Sequence, residues 1–341
     1  MIPRIHRLFA RAGIVSALVL GLVGSTVSAH GPGASNDFGG CRVLLIGVDG
    51  TRADALRKVV TQGRAPHLRE LIAGGTVTWN AYTGGEPETE SLQNTVSGPG
   101  WTTVLTGTWR NQHGVADNRF RLHRIAQAPH WMRRLKDACP SAWASSLCDW
   151  EPIQKFIVGG SRKGDADFLS FDFLATPDPA LKGRDYPQRD REVLARAVEH
   201  LAVANPDAMF VYFGTVDEVG HAVVDPAGSF SPDNEPYLKA LETVDGQVGE
   251  LLKAMRARPQ FVEEHWLVLL TTDHGGRLKN HGAQTPEERT IWIIAHGGDF
   301  PRGLELPGPV PQTAIAPTVF RHLGVGIDAE WGWSKPFGSQ R

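Results

Sequence analysis

The chain has no excess of basic charge. Its 341 residues carry 35 Lys and Arg against 37 Asp and Glu, a net charge of −2 with histidine neutral. A nucleic-acid surface needs a basic stripe, and none is present. Cysteine is scarce, at three residues, too few for a disulfide scaffold. Of the three, Cys139 and Cys148 flank SAWASSL and are the expected pair, with Cys41 the odd thiol. Long apolar runs are missing after the first 29 residues, so nothing later reads as a membrane span. Internal repeats are absent too.

The one long apolar run has a different explanation. Arg4, Arg7 and Arg11 form a basic segment, GIVSALVLGLVGSTV an apolar one, and Val27-Ser28-Ala29 a small-residue cleavage site. That order describes a signal peptide over residues 1–29. The expectation is therefore an exported protein, periplasmic or secreted. Cleavage would shift the net charge from −2 to −5, because the segment holds three basic residues and no acid. Residues 30–41, rich in Gly, read as a flexible N-terminal segment, and 42–341 as a single catalytic domain.

What is present is an alternation of short apolar runs and amphipathic stretches. VLLIGV, TVTWNAY, AWASSLC, MFVYFG, HWLVLLTT and RTIWIIAH read as strands. Helices are expected from near Arg52, in APHLRELIAGG, in DYPQRDREVLARAVEHLAVANP, in EPYLKALETVDGQVGELLKAMRA and in TAIAPTVFRHLG. In the fourth, Leu238, Leu241, Val244, Val248, Leu251 and Leu252 recur at helical spacing. Strands alternating with helices predict an α/β, three-layer sandwich with a mostly parallel central sheet. The long polar loops at 82–95, 159–187 and 222–234 suit the rim of a site.

Acids and histidines follow three of these runs. Asp49 ends VLLIGVDG, Asp217 and His221 follow MFVYFG, and Asp273-His274 follow WLVLLTT, with His281 shortly after. Sites in open α/β sheets form at the carboxyl ends of strands. An Asp and a His four apart share one face of a helical turn. Adjacent Asp273 and His274 would serve a metal from a sharp bend, or touch two. Each motif alone has a plainer reading: a turn for Asp49, a surface pair for Asp217 and His221, a helix cap for Asp273. Their joint placement points to a two-metal centre. Ser97 lies in SGPGW, where glycine and proline fix a turn that would expose its hydroxyl; a capping serine is the alternative, and both fit one position.

GVDGTRAD, SGPGWTTVLTGTWRNQHGV, TVDEVGH, TTDHGG with NHG, and QTAIAPTVFRHLGV occur in this order. Together they resemble the alkaline phosphatase superfamily, on the branch of type I phosphodiesterases and nucleotide pyrophosphatases, over about residues 43–325. The resemblance implies two Zn2+ ions. Asp217, His221 and His281 would hold one; Asp49, Asp273, His274 and the nucleophile oxygen the other. Counting back from Thr106-Gly107 places the family's nucleophile on Ser97. It puts an asparagine that holds a phosphate oxygen on Gly100, a departure that leaves Asn118, Arg277 or Lys279 as replacements. His296, in IIAHGG, competes with His281 for the last ligand position. Trp101 stands where a sulfatase carries arginine, which argues against a sulfatase. The implied function is a zinc-dependent hydrolase of phosphodiester or pyrophosphate bonds acting through a phosphoseryl intermediate on a small phosphorylated substrate. The alternatives are a phosphomonoesterase and a non-catalytic metal-binding homologue.

Overall fold

A computed structural model of the chain describes residues 38–160, 170–173 and 185–339. The expected signal peptide and the segment after it, through residue 37, lie outside the described residues, as does most of the loop at 159–187. Residues 38–40 form a turn, and Cys41 already opens the first strand.

Nine strands form one sheet among the described residues. They are β1 (Cys41–Val48), β2 (Gly75–Tyr82), β3 (Ala144–Cys148), β4 (Ser170–Phe173), β5 (Ala208–Phe213), β6 (His265–Thr271), β7 (Thr290–Gly297), β8 (Leu304–Glu305) and β9 (Val310–Pro311). The order is β4-β3-β5-β1-β6-β7-β2-β8, with β9 also on β2. All pairings are parallel except the two made by β7.

The helices are α1 (Ala53–Thr61), α2 (Pro66–Ala73), α3 (Ser97–Thr106), α4 (Arg110–His113), α5 (Trp131–Ala138), α6 (Tyr186–Val203), α7 (Thr215–Gly220), α8 (Glu235–Arg256), α9 (Pro286–Arg289) and α10 (Ile315–Leu323). Helix α8 starts where expected: Asn234 Oδ1 accepts from the Tyr237 N–H at 3.1 Å, and proline occupies the first turn.

Alternation along β1 divides the interior into two cores. Val43 and Leu45 face one, with Trp101, Val104 and Leu105 of α3, Trp131 and Leu135 of α5, and α10. Leu44, Ile46 and Val48 face the other, with α1, α2, α6 and α8. Each fully buried Val or Leu contributes about 1.5–3 kcal/mol. Two helical layers therefore clamp the sheet, and the central strands must be apolar on both faces. Cys139 and Cys148 are not joined by a disulfide, contrary to the expected pairing. Cys148 ends β3 in the buried interior, whereas Cys139 caps α5.

Candidate metal centre and nucleophile

Three adjacent strands, β5, β1 and β6, end side by side. Asp49 follows β1, and its N–H donates to Phe213 O at the end of β5 (2.9 Å). Asp217 lies two residues into α7, which starts just beyond β5; His221 is the residue after α7's end, one turn later. Asp273 and His274 follow β6 and are fully buried. Gly50 makes the crowding possible. Its φ is +61°, and a Cβ there would lie 2.2 Å from Asp217 Oδ1. Its N–H donates to Asp273 Oδ1 at 3.1 Å. One backbone unit thus touches the residues after all three strands.

Two three-residue groups result. Asp217, His221 and His281 each bring a donor atom within 4.8 Å of the others, and so do Asp49, Asp273 and His274. In the first, His221 Nε2 is 2.8 Å from His281 Nε2 and 3.4 Å from Asp217 Oδ2. In the second, His274 Nε2 is 3.1 Å from Asp273 Oδ2 and 3.6 Å from Asp49 Oδ1. Every ring is locked the same way. His221 Nδ1 bonds Lys279 O (2.8 Å), His281 Nδ1 bonds Thr95 O (3.0 Å) and His274 Nδ1 bonds Gly275 O (2.8 Å). A carbonyl only accepts, so each Nδ1 carries a proton and each ring turns its Nε2 into the cluster. Asp217 Oδ1 and Asp273 Oδ2 are buried and accept no hydrogen bond. Converging imidazole Nε2 atoms beside two orphaned carboxylate oxygens form a donor set that suits cations.

Electrostatics agree. Burial, then the charge of Asp217, pushes Asp49 up to about 6. Asp273 is raised well above the carboxylate range by burial and by Asp49. Burial also opposes ionisation of Asp217, but the His221 hydrogen bond and the nearby imidazoles win and hold it at about 2. His221 is raised to about 9: burial lowers it, and Asp217 more than offsets that. His281 falls to about 4 through burial and His274. Three buried carboxylates in one place are stable as anions only beside compensating positive charge.

Ser97 meets the second group. It is the first residue of α3, after Val96 in extended backbone. Its Oγ lies 3.5 Å from Asp49 Oδ1 and 3.4 Å from His274 Nε2. The expected exposed turn is a buried helix start, with Ser97 only 6% accessible. Asp49 is aimed at it by two groups that sequence reading missed: Trp101 Nε1 and Tyr212 OH donate to Asp49 Oδ2 at 2.9 and 2.7 Å. No local signal announces them, since the pairs are 52 and 163 residues apart.

The remaining candidates divide. Gly100 is buried within α3, and a Cβ there would sit 2.8 Å from Asp273 Cβ. The glycine lets α3 pack directly against Asp273. Asn118 is beside the nucleophile instead: its Oδ1 accepts the Gly98 N–H at 2.7 Å. Arg277 and Lys279 have exposed side chains. The carbonyl of Lys279, not its ammonium, touches the cluster. His296 is on the reversed strand β7, paired opposite Val268 in the middle of β6, and bonds Leu71 O at 3.2 Å. Its strand runs the other way, so it stays clear of the carboxyl ends where the site lies.

Comparison with known proteins settles the family. The family model "Type I phosphodiesterase / nucleotide pyrophosphatase" matches residues 43–281, from β1 through His281. The chain belongs to that family. A pyrophosphatase/phosphodiesterase of Schizosaccharomyces pombe, itself uncharacterised, is 24% identical over 286 residues, 76% of this chain. The chain spans about half the length of that relative (50%). Among solved structures, a 2-O GAG sulfatase superposes with a TM-score of 0.67 at 16% identity, covering 86% of this chain and 73% of the other. Murine ectonucleotide pyrophosphatase/phosphodiesterase 5, in complex with AMP, gives 0.57 at 14% identity, with 84% and 95% covered. A phosphonate monoester hydrolase from Silicibacter pomeroyi gives 0.58 at 15%, with 87% and 76% covered. These likenesses establish the alkaline phosphatase-like fold. The family is one of phosphoric ester hydrolases, and no helix among the described residues is long and apolar enough to cross a membrane.

Proposed function

We propose that this protein is an exported, zinc-dependent hydrolase that cleaves phosphodiester or pyrophosphate bonds through a phosphoseryl intermediate on Ser97. The observation that carries the reading is convergence. The Ser97 hydroxyl lies within 3.5 Å of two members of one three-residue group. The other group adjoins it: the His274 and His281 rings stack at 3.8 Å.

Asp217, His221 and His281 would hold one ion, and Asp49, Asp273 and His274 the other. Zinc bound there supplies Lewis acidity and lowers the pKa of a coordinated water from ~15.7 to near ~7. The chain's own residues do the rest. Trp101 and Tyr212 fix Asp49, so that its free oxygen faces Ser97. With its oxygen committed to Gly98, Asn118 keeps its amide donors for substrate. Ser97 gives up its hydroxyl proton as its Oγ forms the bond to phosphorus, the ester oxygen leaves and takes up a proton, and water then cleaves the phosphoseryl bond, returning a proton to Ser97 Oγ. Burial of the cluster strengthens each of these interactions.

The test is turnover of nitrophenyl diester and monoester substrates by zinc-loaded protein. Faster turnover of the diester is expected. Preference for the monoester would make the protein a phosphomonoesterase, and no turnover of either would leave a metal-binding homologue.

A further inference from the structure

A buried amide stands behind the second Asp/His group. Gln312 follows β9 and opens the short 3₁₀ helix Gln312–Ala314 that leads into α10. It is fully buried. Strand β9 pairs with β2 in parallel, with Pro311 opposite Tyr82, so the register sets Gln312 beside Thr83. The Thr83 hydroxyl donates to Gln312 Oε1 at 2.8 Å. The nitrogen reaches the other way. Gln312 Nε2 donates to Thr272 O at 3.1 Å and to Asp273 O at 2.9 Å. Carbonyls only accept, so the nitrogen is the atom that faces them, and both of its N–H groups are used.

Those two carbonyls lie past Thr271, the last residue of β6, where its ladders to β1 and β7 have ended. Buried carbonyls there need another donor, and the amide supplies it. One carbonyl belongs to the peptide before the Asp273 Cα and the other to the peptide after it. Each peptide is a rigid plane, so holding both planes fixes the backbone of Asp273 and the entry into His274. Thr83, at the amide's other end, begins the segment that runs to Thr95, whose carbonyl bonds His281 Nδ1, and on to Ser97.

We infer that Gln312 is a positioning residue. It holds the bend that presents Asp273 and His274, and ties that bend to the segment that carries Thr95 and Ser97. Its effect on turnover rests on the two-metal reading above. Its hold on the bend needs no ion.

Gln312→Met keeps the length and burial of the side chain and removes its donors. In chelated protein, hydrogen exchange should quicken by about tenfold or more at Gly50, Thr51 and Gly275, whose N–H groups bond Asp273 Oδ1, Thr272 Oγ1 and Glu288 O. Exchange along α8 should stay within about twofold of wild type. With zinc supplied, one equivalent should bind about 10–100-fold more weakly and the other unchanged. For the nitrophenyl diester, kcat should fall while KM stays within about twofold. Thr83→Val, which frees only the amide oxygen, should give the same pattern to a smaller degree, and it carries the test if Gln312→Met does not fold. Exchange that quickens equally along α8 would mark a merely structural glutamine, and unchanged exchange at the three amides would show that Gln312 does not hold the bend. Either result overturns the inference. Zinc content of wild type, read in parallel, tests the two-zinc reading separately.

Discussion

Replacing Gly50 by alanine puts one methyl group at the point where the residues after three strands meet. Two costs add. Alanine at φ +61° loses roughly 1 kcal/mol relative to glycine. The new Cβ would also lie 2.2 Å from Asp217 Oδ1, 2.7 Å from its Cβ and 2.9 Å from its Cα, contacts that cannot persist. Relieving them overpacks a full interior, at about 1–3 kcal/mol. The sum is about 2–4 kcal/mol, which for a domain of this size lowers the thermal midpoint by at least about 4 °C. The shift has a chemical signature as well. Asp217 must move, so its group should lose its ion first and zinc content should fall from about two equivalents toward one. Thermal unfolding and metal analysis on the same preparation read both effects. Gly246→Ala is the control, because it is exposed within α8 and nothing lies within 4 Å of its Cβ. That change should be neutral or slightly stabilising. A Gly50→Ala protein with an unaltered midpoint and two zinc equivalents would refute the close approach of Gly50 to Asp217.

Ser97→Ala should abolish turnover and keep both metal equivalents; activity within about tenfold of wild type, roughly 1.4 kcal/mol in barrier, is too small a loss for a covalent nucleophile. His281→Ala should lower zinc toward one equivalent and remove activity, whereas His296→Ala should lose only its bond to Leu71 O and keep both ions; the reverse pattern would place the site at the wrong end of β7. Chelation should remove activity and zinc should restore it, while restoration by calcium alone would count against the Asp/His ligand set. In chelated protein, His221, raised to about 9 by Asp217, adds stability that is full below its ordinary value near 6.5 and is lost as pH rises through about 9. Asp217, held at about 2, adds stability present above about 4 and lost as pH falls through about 2. Thermal midpoints of His221→Ala and wild type should therefore converge above pH ~9.

The local part of this protein is legible in its sequence because the relevant physics is local. Short apolar runs mark strands buried on both faces, and the residue after each run must lie at a strand end. Asp49, Asp217 and Asp273 were therefore placeable, and the four-residue spacing set His221 above Asp217 on one helical turn. His281 was harder, since a histidine at a strand's end competes on equal terms until the direction of that strand is known. Direction is a property of the sheet: β7 pairs antiparallel with both neighbours, and this carries His296 away from the cluster.

Other decisions depended on packing between distant segments. SGPGW reads as an exposed turn by its glycines and proline, yet α3 is buried along its whole length between the sheet and the outer helices, so Ser97 is shielded. Gly100 owes its identity to Asp273, and Asn118 meets Gly98 because the chain after α4 folds back over the start of α3. Trp101 and Tyr212 bond Asp49 through pairings that span 52 residues or more. Periodicity carries no information across such separations. The sequence by itself determined which residues end the strands and what chemistry they offer. Only the tertiary structure decided which strand ends are neighbours, because that follows from strand order and register, and those follow from how the two apolar faces of the whole sheet are covered.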